Sequence, residues 1–198
     1  MLPAPFENPA QGGYSCLRPG AVFRDLRRVP RVGGGCADLT RYPAREGFED
    51  LVLLATRPSR PVAWTAVAFP REGYLWFALK DPALLASTVL WHSNGGRHYP
   101  PWNGRHRRVL GLEEVTAFFH LGLAASARPN SLSRRGVPTT LALRADRPLR
   151  IPYVMGVTAI PRGFDAVRRV RFGRDHLVFI AASGKTARQA IDWSFFPA

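Results

Sequence analysis

Apolar and polar positions alternate along this chain in short bursts, and no apolar stripe of helical period is sustained for long. The clearest burst begins at Val62. Trp64, Ala66 and Ala68 alternate with Thr65, Val67 and Phe69, a turn follows at Pro70 to Gly73, and Tyr74 to Leu79 resumes. This pattern predicts a β-hairpin. The apolar run Leu51 to Ala55 predicts a buried strand with Glu49 and Asp50 at its entrance. Further strands are predicted at Ser87 to Trp91, Val109 to Leu112, Thr139 to Leu143, Ile151 to Ile160, Val167 to Phe172, Leu177 to Ala182 and Ala190 to Phe196. Val115 to Ala127 reads as a strand to Phe119 and then a short helical turn from His120, stopped by Pro129 and Asn130. Residues 1–20 are expected to form an extended lead-in, residues 21–44 to be irregular, and Asn130 to Pro138 to be a polar, basic loop. Short strands at regular spacing predict a mainly antiparallel β-sandwich. No internal repeat or break in composition divides the chain, so a single domain over residues 1–198 is expected.

Composition sharpens this picture. With 46% hydrophobic and 11% aromatic residues, the 198-residue chain has material for a real core. Its 18 prolines and 18 glycines, scattered without a period, favour turns and short strands over long helices. The net charge of +14 raises the question of a nucleic-acid partner. However, Lys80 and Lys185 are the only lysines, and the arginines are dispersed in small clusters instead of a tail. Nucleic-acid binding is therefore the least favoured of three functional classes. Cys16 and Cys36 lack the paired spacing of a zinc ribbon and are expected to be free thiols. No apolar run approaches the roughly 20 residues of a membrane span, and no targeting segment is recognisable, so a cytoplasmic location is the default expectation.

Polar chemistry is densest between Trp91 and Glu114, in the segment WHSNGGRHYPPWNGRHRRVLGLEE. Gly95, Gly96 and Gly104 tolerate unusual backbone angles, while Pro100 and Pro101 remove two donors, so the first part predicts an exposed loop. Trp91, Tyr99 and Trp102 offer flat apolar faces; Asn94 and Asn103 offer amides; Arg97, His98, Arg105 and His106 offer charged or titratable donors. Aromatic faces ringed by groups that bond hydroxyls suit a sugar. Set against this, arginines and Asn-Gly turns also occur in ordinary solvated loops, and carboxylates at strand ends are commonly solvated or paired with arginine.

Other motifs carry less. SGKT at Ser183 to Thr186 lacks the first glycine of a phosphate-binding loop, since Phe179 stands there, and reads as a polar turn. The five histidines show no HExxH arrangement, so no metal or other cofactor is expected. Neither Ser93 nor Cys16 sits in a recognisable nucleophile motif.

The loop followed by Val109, Leu110, Gly111, Leu112, Glu113 and Glu114 resembles the aldose 1-epimerase (galactose mutarotase-like) family. There, a strand ending in a Leu-Glu step delivers a catalytic carboxylate. Gly47, Phe48, Glu49 and Asp50, leading into Leu51, Val52 and Leu53, resemble the family's Gly-aromatic-Asp-His step, whose carboxylate helps hold sugar hydroxyls. The resemblance implies a β-sandwich of the galactose mutarotase-like supersandwich type, matching the C-terminal two thirds of such a domain and so incomplete at its N-terminus. It implies a monosaccharide or sugar phosphate as substrate, with Glu113 as the base of anomer interconversion. The family's acid is a histidine from an earlier part of the domain; here one of His92, His98 and His106 would take that role, and His98 is the one assigned. Glu49, Asn94, Arg97, Trp102, Asn103, Arg105 and His106 are the expected substrate-binding residues. A non-catalytic carbohydrate-binding module that lost the acid is the runner-up.

Overall fold

The computed structural model describes residues 2–3, 15–43, 45–56 and 61–196. The fold is mainly β, as the turn spacing predicts, with antiparallel sheets and no closed barrel among the described residues. The strands are β1 (Leu2–Pro3), β2 (Val29–Pro30), β3 (Cys36–Ala37), β4 (Phe48–Ala55), β5 (Ala63–Phe69), β6 (Tyr74–Lys80), β7 (Ser87–Asn94), β8 (Val109–Val115), β9 (Tyr153–Ala159), β10 (Val167–Phe172), β11 (His176–Ala181) and β12 (Thr186–Ala190). The single α-helix among them, α1 (Gly122–Ala127), lies where the helical turn is predicted. No helix among the described residues is long and apolar enough to cross a membrane.

The chain clusters into two compact units, one built from Met1–Thr56 and Leu85–Ala142, the other from Arg57–Leu84 and Leu143–Ala198. No change in composition marks either boundary.

In the first unit, β1, β4, β7 and β8 form one antiparallel sheet in that order. Side chains alternate between its faces. Val52 and Leu90 face one side, where they meet Cys16, Leu17, Phe23, Val29 and Leu39. Leu53 and Val89 face the other, against Leu132 with Phe118, Phe119 and Val137 around it. In the second unit, the sheets β5-β6-β9 and β10-β11-β12 enclose a core of Leu75, Phe77, Leu79, Phe164, Leu177 and Phe179. Gly156 pairs with Phe77 on the neighbouring strand. A Cβ there would come within 2.9 Å of the Phe77 ring, so the ring needs glycine opposite it.

Several predicted elements move. Glu49 and Asp50 lie inside β4, which begins at Phe48, and β7 runs on to Asn94. Val115 ends β8, so no strand continues to Phe119. Thr139 to Leu143 is not a strand. Thr139 is buried and its hydroxyl donates to the Ser126 carbonyl at 2.7 Å, while Leu143 is 79% exposed, so the run neither faces a core nor meets a ladder. The last strand is Thr186–Ala190 and not Ala190 to Phe196. Past it, Asp192 accepts from the backbone N–H and hydroxyl of Ser194, which turns the chain, and Phe196 is buried in the core without a strand partner. SGKT closes the β11–β12 hairpin: Gly184 has φ +82° and Ala181 N donates to Lys185 O. The expected lead-in lies mostly outside the described residues; of it, β1 pairs with Leu53 and Val52.

Candidate functional site

The segment rich in polar chemistry is the tip of the β7–β8 hairpin. Pairing continues past the strands: Gly95 N donates to His106 O at 2.9 Å and Gly104 N to Arg97 O at 2.7 Å. At the tip, Trp102 N and Asn103 N both donate to Tyr99 O, around a cis Pro100–Pro101 bond. Gly95 and Gly104 take φ of +85° and +68°, which glycine adopts without steric cost. Gly96 is needed for a different reason. A Cβ on it would lie 2.7 Å from both Glu49 Cγ and the Phe48 carbonyl carbon. Only a bare backbone approaches β4 this closely.

That approach closes a buried polar cluster. Glu49 is fully buried, and its carboxylate accepts three hydrogen bonds. Trp91 Nε1 donates to Oε2 at 2.8 Å, while Ser93 Oγ at 2.9 Å and Gly96 N at 3.1 Å donate to Oε1. Register explains the meeting, since Glu49 pairs with Ser93 across β4 and β7 and Trp91 lies two residues back on the same face. The Ser93 Oγ also stands 2.6 Å from His106 Nδ1. The His106 ring stacks on Trp91 with centroids 5.1 Å apart and tilts against Trp102 at the same distance. Over both indoles sits the Arg97 guanidinium, 4.8 Å from each centroid, with the side chain mostly buried. Such stacking orients Arg97 as well as attracting it.

Trp91 lies beside β8, where Gly111 is its cross-strand partner. An added Cβ at Gly111 would lie 3.0 Å from the indole and 3.6 Å from Glu113 Oε1, so this glycine leaves room for the ring and for the carboxylate next to it. Glu113 is exposed, and among the described residues its carboxylate has no hydrogen-bond or ion-pair partner. It shares the face of Trp91, Ser93 and Glu49. Glu114 points to the opposite face, where it accepts from the Thr88 hydroxyl at 2.6 Å.

Of the predicted site residues, the fold therefore brings together Glu49, Arg97, Trp102 and His106 around Trp91, with Glu113 at its edge. His98 is exposed, its Nδ1 close to Gly104. Arg105 and Asn103 are exposed on the loop, Asn103 with φ +47°. Asn94 serves the backbone: its amide nitrogen donates to Arg45 O and its Oδ1 accepts from Arg108 N, both at 3.2 Å. Ser93, unassigned in the sequence, is the hinge of the cluster. Its one signal is position, two residues after Trp91 on a strand beside an acidic one. No group of three or more histidine, cysteine, aspartate or glutamate side chains placed to hold a metal occurs among the described residues.

The other face of the sheet carries a second buried polar group. Asp50 accepts from Ser15 Oγ at 2.9 Å, Cys16 N at 3.1 Å and Arg45 at 3.2 Å, which ties residues 15–16 to β4. His92 pairs with Asp50 across the strands and packs edge-on against Tyr42, and its buried Nδ1 has no hydrogen-bond partner among the described residues. Burial pushes the His92 imidazole down to about 4 despite the nearby Asp50 charge. Tyr42 donates to Ser93 O at 2.7 Å, and burial followed by the Glu49 charge pushes its phenol up to about 12. Cys16 is likewise raised, by burial and then by Asp50.

Comparison of the chain with family models, with characterised proteins and with solved structures finds no match to any of the three.

Proposed function

We propose that this protein binds a monosaccharide against the Trp91 face of the sheet and interconverts its anomers, in the manner of an aldose 1-epimerase. The observation that carries the reading is Glu113: an exposed carboxylate without a partner among the described residues, set beside an indole that is itself held by a buried acid, an imidazole and a guanidinium. A half-buried aromatic cluster with an acceptor at its edge suits a pyranose, whose C–H groups pack on rings while its hydroxyls donate. Glu113 takes the proton of the anomeric hydroxyl as a histidine protonates the ring oxygen; the bond from the anomeric carbon to that oxygen breaks, and the open aldehyde rotates and recloses. His106 is better placed than His98 for the acid, because it stacks on Trp91 while His98 sits exposed beside Gly104. The supersandwich resemblance of Gly47 to Leu53 and of Leu112 to Glu114 agrees with this reading.

Polarimetry of freshly dissolved α-glucose and α-galactose tests it. The native chain is expected to accelerate mutarotation. Glu113→Gln keeps the shape and removes the base, so it should lower the rate about 10²- to 10⁴-fold while sugar binding changes only a few fold. Glu114→Gln, altered on the opposite face, should leave the rate within about twofold. Sugar binding with no acceleration by the native chain would instead make this a carbohydrate-binding module. Equal loss in both variants would place the wrong carboxylate at the site.

A further inference from the structure

Ser93 stands between an acid and an imidazole, and its single proton decides the chemistry of both. Trp91 Nε1 and Gly96 N, which can only donate, reach one oxygen each of Glu49, so both of its oxygens accept, the pattern of a carboxylate. The Ser93 hydroxyl has two possible acceptors besides the imidazole: the Glu49 oxygen at 2.9 Å and the His106 carbonyl at 3.3 Å. A bare Nδ1 at 2.6 Å would be a nearer acceptor but a neutral one, whereas Glu49 is charged, and charge-assisted hydrogen bonds are about twice as strong as neutral ones. The proton therefore goes to Glu49, and the 2.6 Å contact from Ser93 Oγ to His106 Nδ1 is a hydrogen bond only if Nδ1 is the donor. Were Nδ1 bare, two lone pairs would face each other at 2.6 Å in a partly buried site.

We infer that Glu49, acting through Ser93, fixes His106 as the Nδ1–H tautomer, so that Nε2 is the one ring nitrogen that exchanges a proton with a bound ligand. Nδ1 keeps its proton in both charge states. The neutral ring presents an Nε2 lone pair, and the imidazolium an Nε2–H donor. When the imidazolium forms, the Glu49 carboxylate lies one hydroxyl away to stabilise it. Stacking on Trp91 and the hydrogen bond from Gly95 N to His106 O fix the direction in which Nε2 points. Glu49 and Ser93 are thus positioning residues, and Ser93, fully buried and committed at both ends, is not a nucleophile. As far as catalysis is concerned, the inference rests on the anomer-interconverting reading; as a statement about His106 it stands without it.

Nitrogen-15 NMR of histidine-labelled protein, without sugar, tests the tautomer directly. Neutral His106 in the native chain should show a protonated Nδ1 and a bare Nε2. Ser93→Ala should abolish that state in favour of the Nε2–H form or a mixture, and Ser93→Thr, which retains the hydroxyl, should restore it. Circular dichroism is the check that each variant is folded. If Ser93→Ala does not fold, the native spectrum alone decides, because an Nε2–H ring there overturns the inference. So does a tautomer unchanged in folded Ser93→Ala. In the polarimetric assay, Ser93→Ala is expected to lower kcat about 10- to 100-fold with KM within a few fold, and Ser93→Thr to recover most of it. An Nδ1–H ring lost in Ser93→Ala, in a chain that leaves mutarotation unaccelerated, would uphold the tautomer and refute the sugar chemistry.

Discussion

His92 and His106 lie on the same hairpin and meet opposite fates. His106 has a hydroxyl and an acid behind it; His92 is buried, with one nitrogen unbonded among the described residues, and is held neutral. Its cost appears in stability. An unfolded histidine takes up a proton near 6.5, whereas the folded one resists until about 4. Between these values the unfolded state binds more protons, so the contribution of His92 is complete above about 6.5 and is lost as pH falls towards 4. The loss should be on the order of 3 kcal/mol, with no further change from this group below pH 4. Urea unfolding at pH 7, 5.5 and 4 should show this slope in the native chain and a shallower one in His92→Gln; parallel slopes would refute it. None of this is legible in the sequence, where the two histidines look alike. Their difference comes from which side of the hairpin each ring turns to, His92 from β7 and His106 from the loop, and what meets it there. Glu113 and Glu114 are the contrary case, since simple alternation along a strand places them on opposite faces.

At the scale of elements, the β5–β6 hairpin was legible because an uninterrupted alternation on both sides of a Pro-to-Gly turn admits one pairing. Thr139 to Leu143 was not, because an apolar run has no meaning without a neighbour, and its first residue is engaged by Asn130 and Ser126 instead. The break between β7 and β8 was legible from its glycines and prolines, but its first part is not the exposed loop expected: Asn94 ends β7 and Gly95, Gly96 and Arg97 are buried, and nothing in the string Asn94-Gly95-Gly96 says that the second glycine lies against Glu49. That contact gives a prediction. Gly96→Ala must push a methyl against the β4 backbone, and overpacking of this kind costs about 1 to 3 kcal/mol, occasionally more. Gly104→Ala meets only ordinary contacts, the nearest at 3.5 Å, and bears only the left-handed backbone penalty of about 1 to 2 kcal/mol. Denaturation midpoints should rank native above Gly104→Ala above Gly96→Ala. Only Gly96→Ala should also shift tryptophan emission, because it loosens the Glu49 cluster that holds Trp91.

The whole molecule carries 28 lysine and arginine side chains against 14 carboxylates, an excess no arrangement of its own acids can neutralise. Such a surface attracts polyanions without specificity, and that attraction must be separated from the site. Phosphate-dominated binding falls by about 10³ to 10⁵ between 50 and 200 mM salt, whereas stacking and hydrogen bonding of a neutral sugar scarcely respond. Monosaccharide quenching of tryptophan fluorescence should therefore give a Kd unchanged within about twofold over that range. Tight, salt-sensitive DNA or RNA binding with no sugar response would move the function to the nucleic-acid class. The mainly β architecture was legible from turn spacing; the two units were not, because the chain leaves the first at Thr56 and returns at Leu85 without any change of composition. The adjacent acids of β4 bear on how such a chain avoids misassembly. Glu49 finds its three donors on one face, and Asp50 finds Ser15, Cys16 and Arg45 on the other. A slip of one residue between β4 and β7 would turn each carboxylate to the wrong side, Asp50 towards the indole and Glu49 among the aliphatic residues around Val52, both stripped of partners. The Glu49-Asp50 step thus works as a two-sided key: a mispaired strand is penalised on both faces at once, well before any ligand is present to reward the right one.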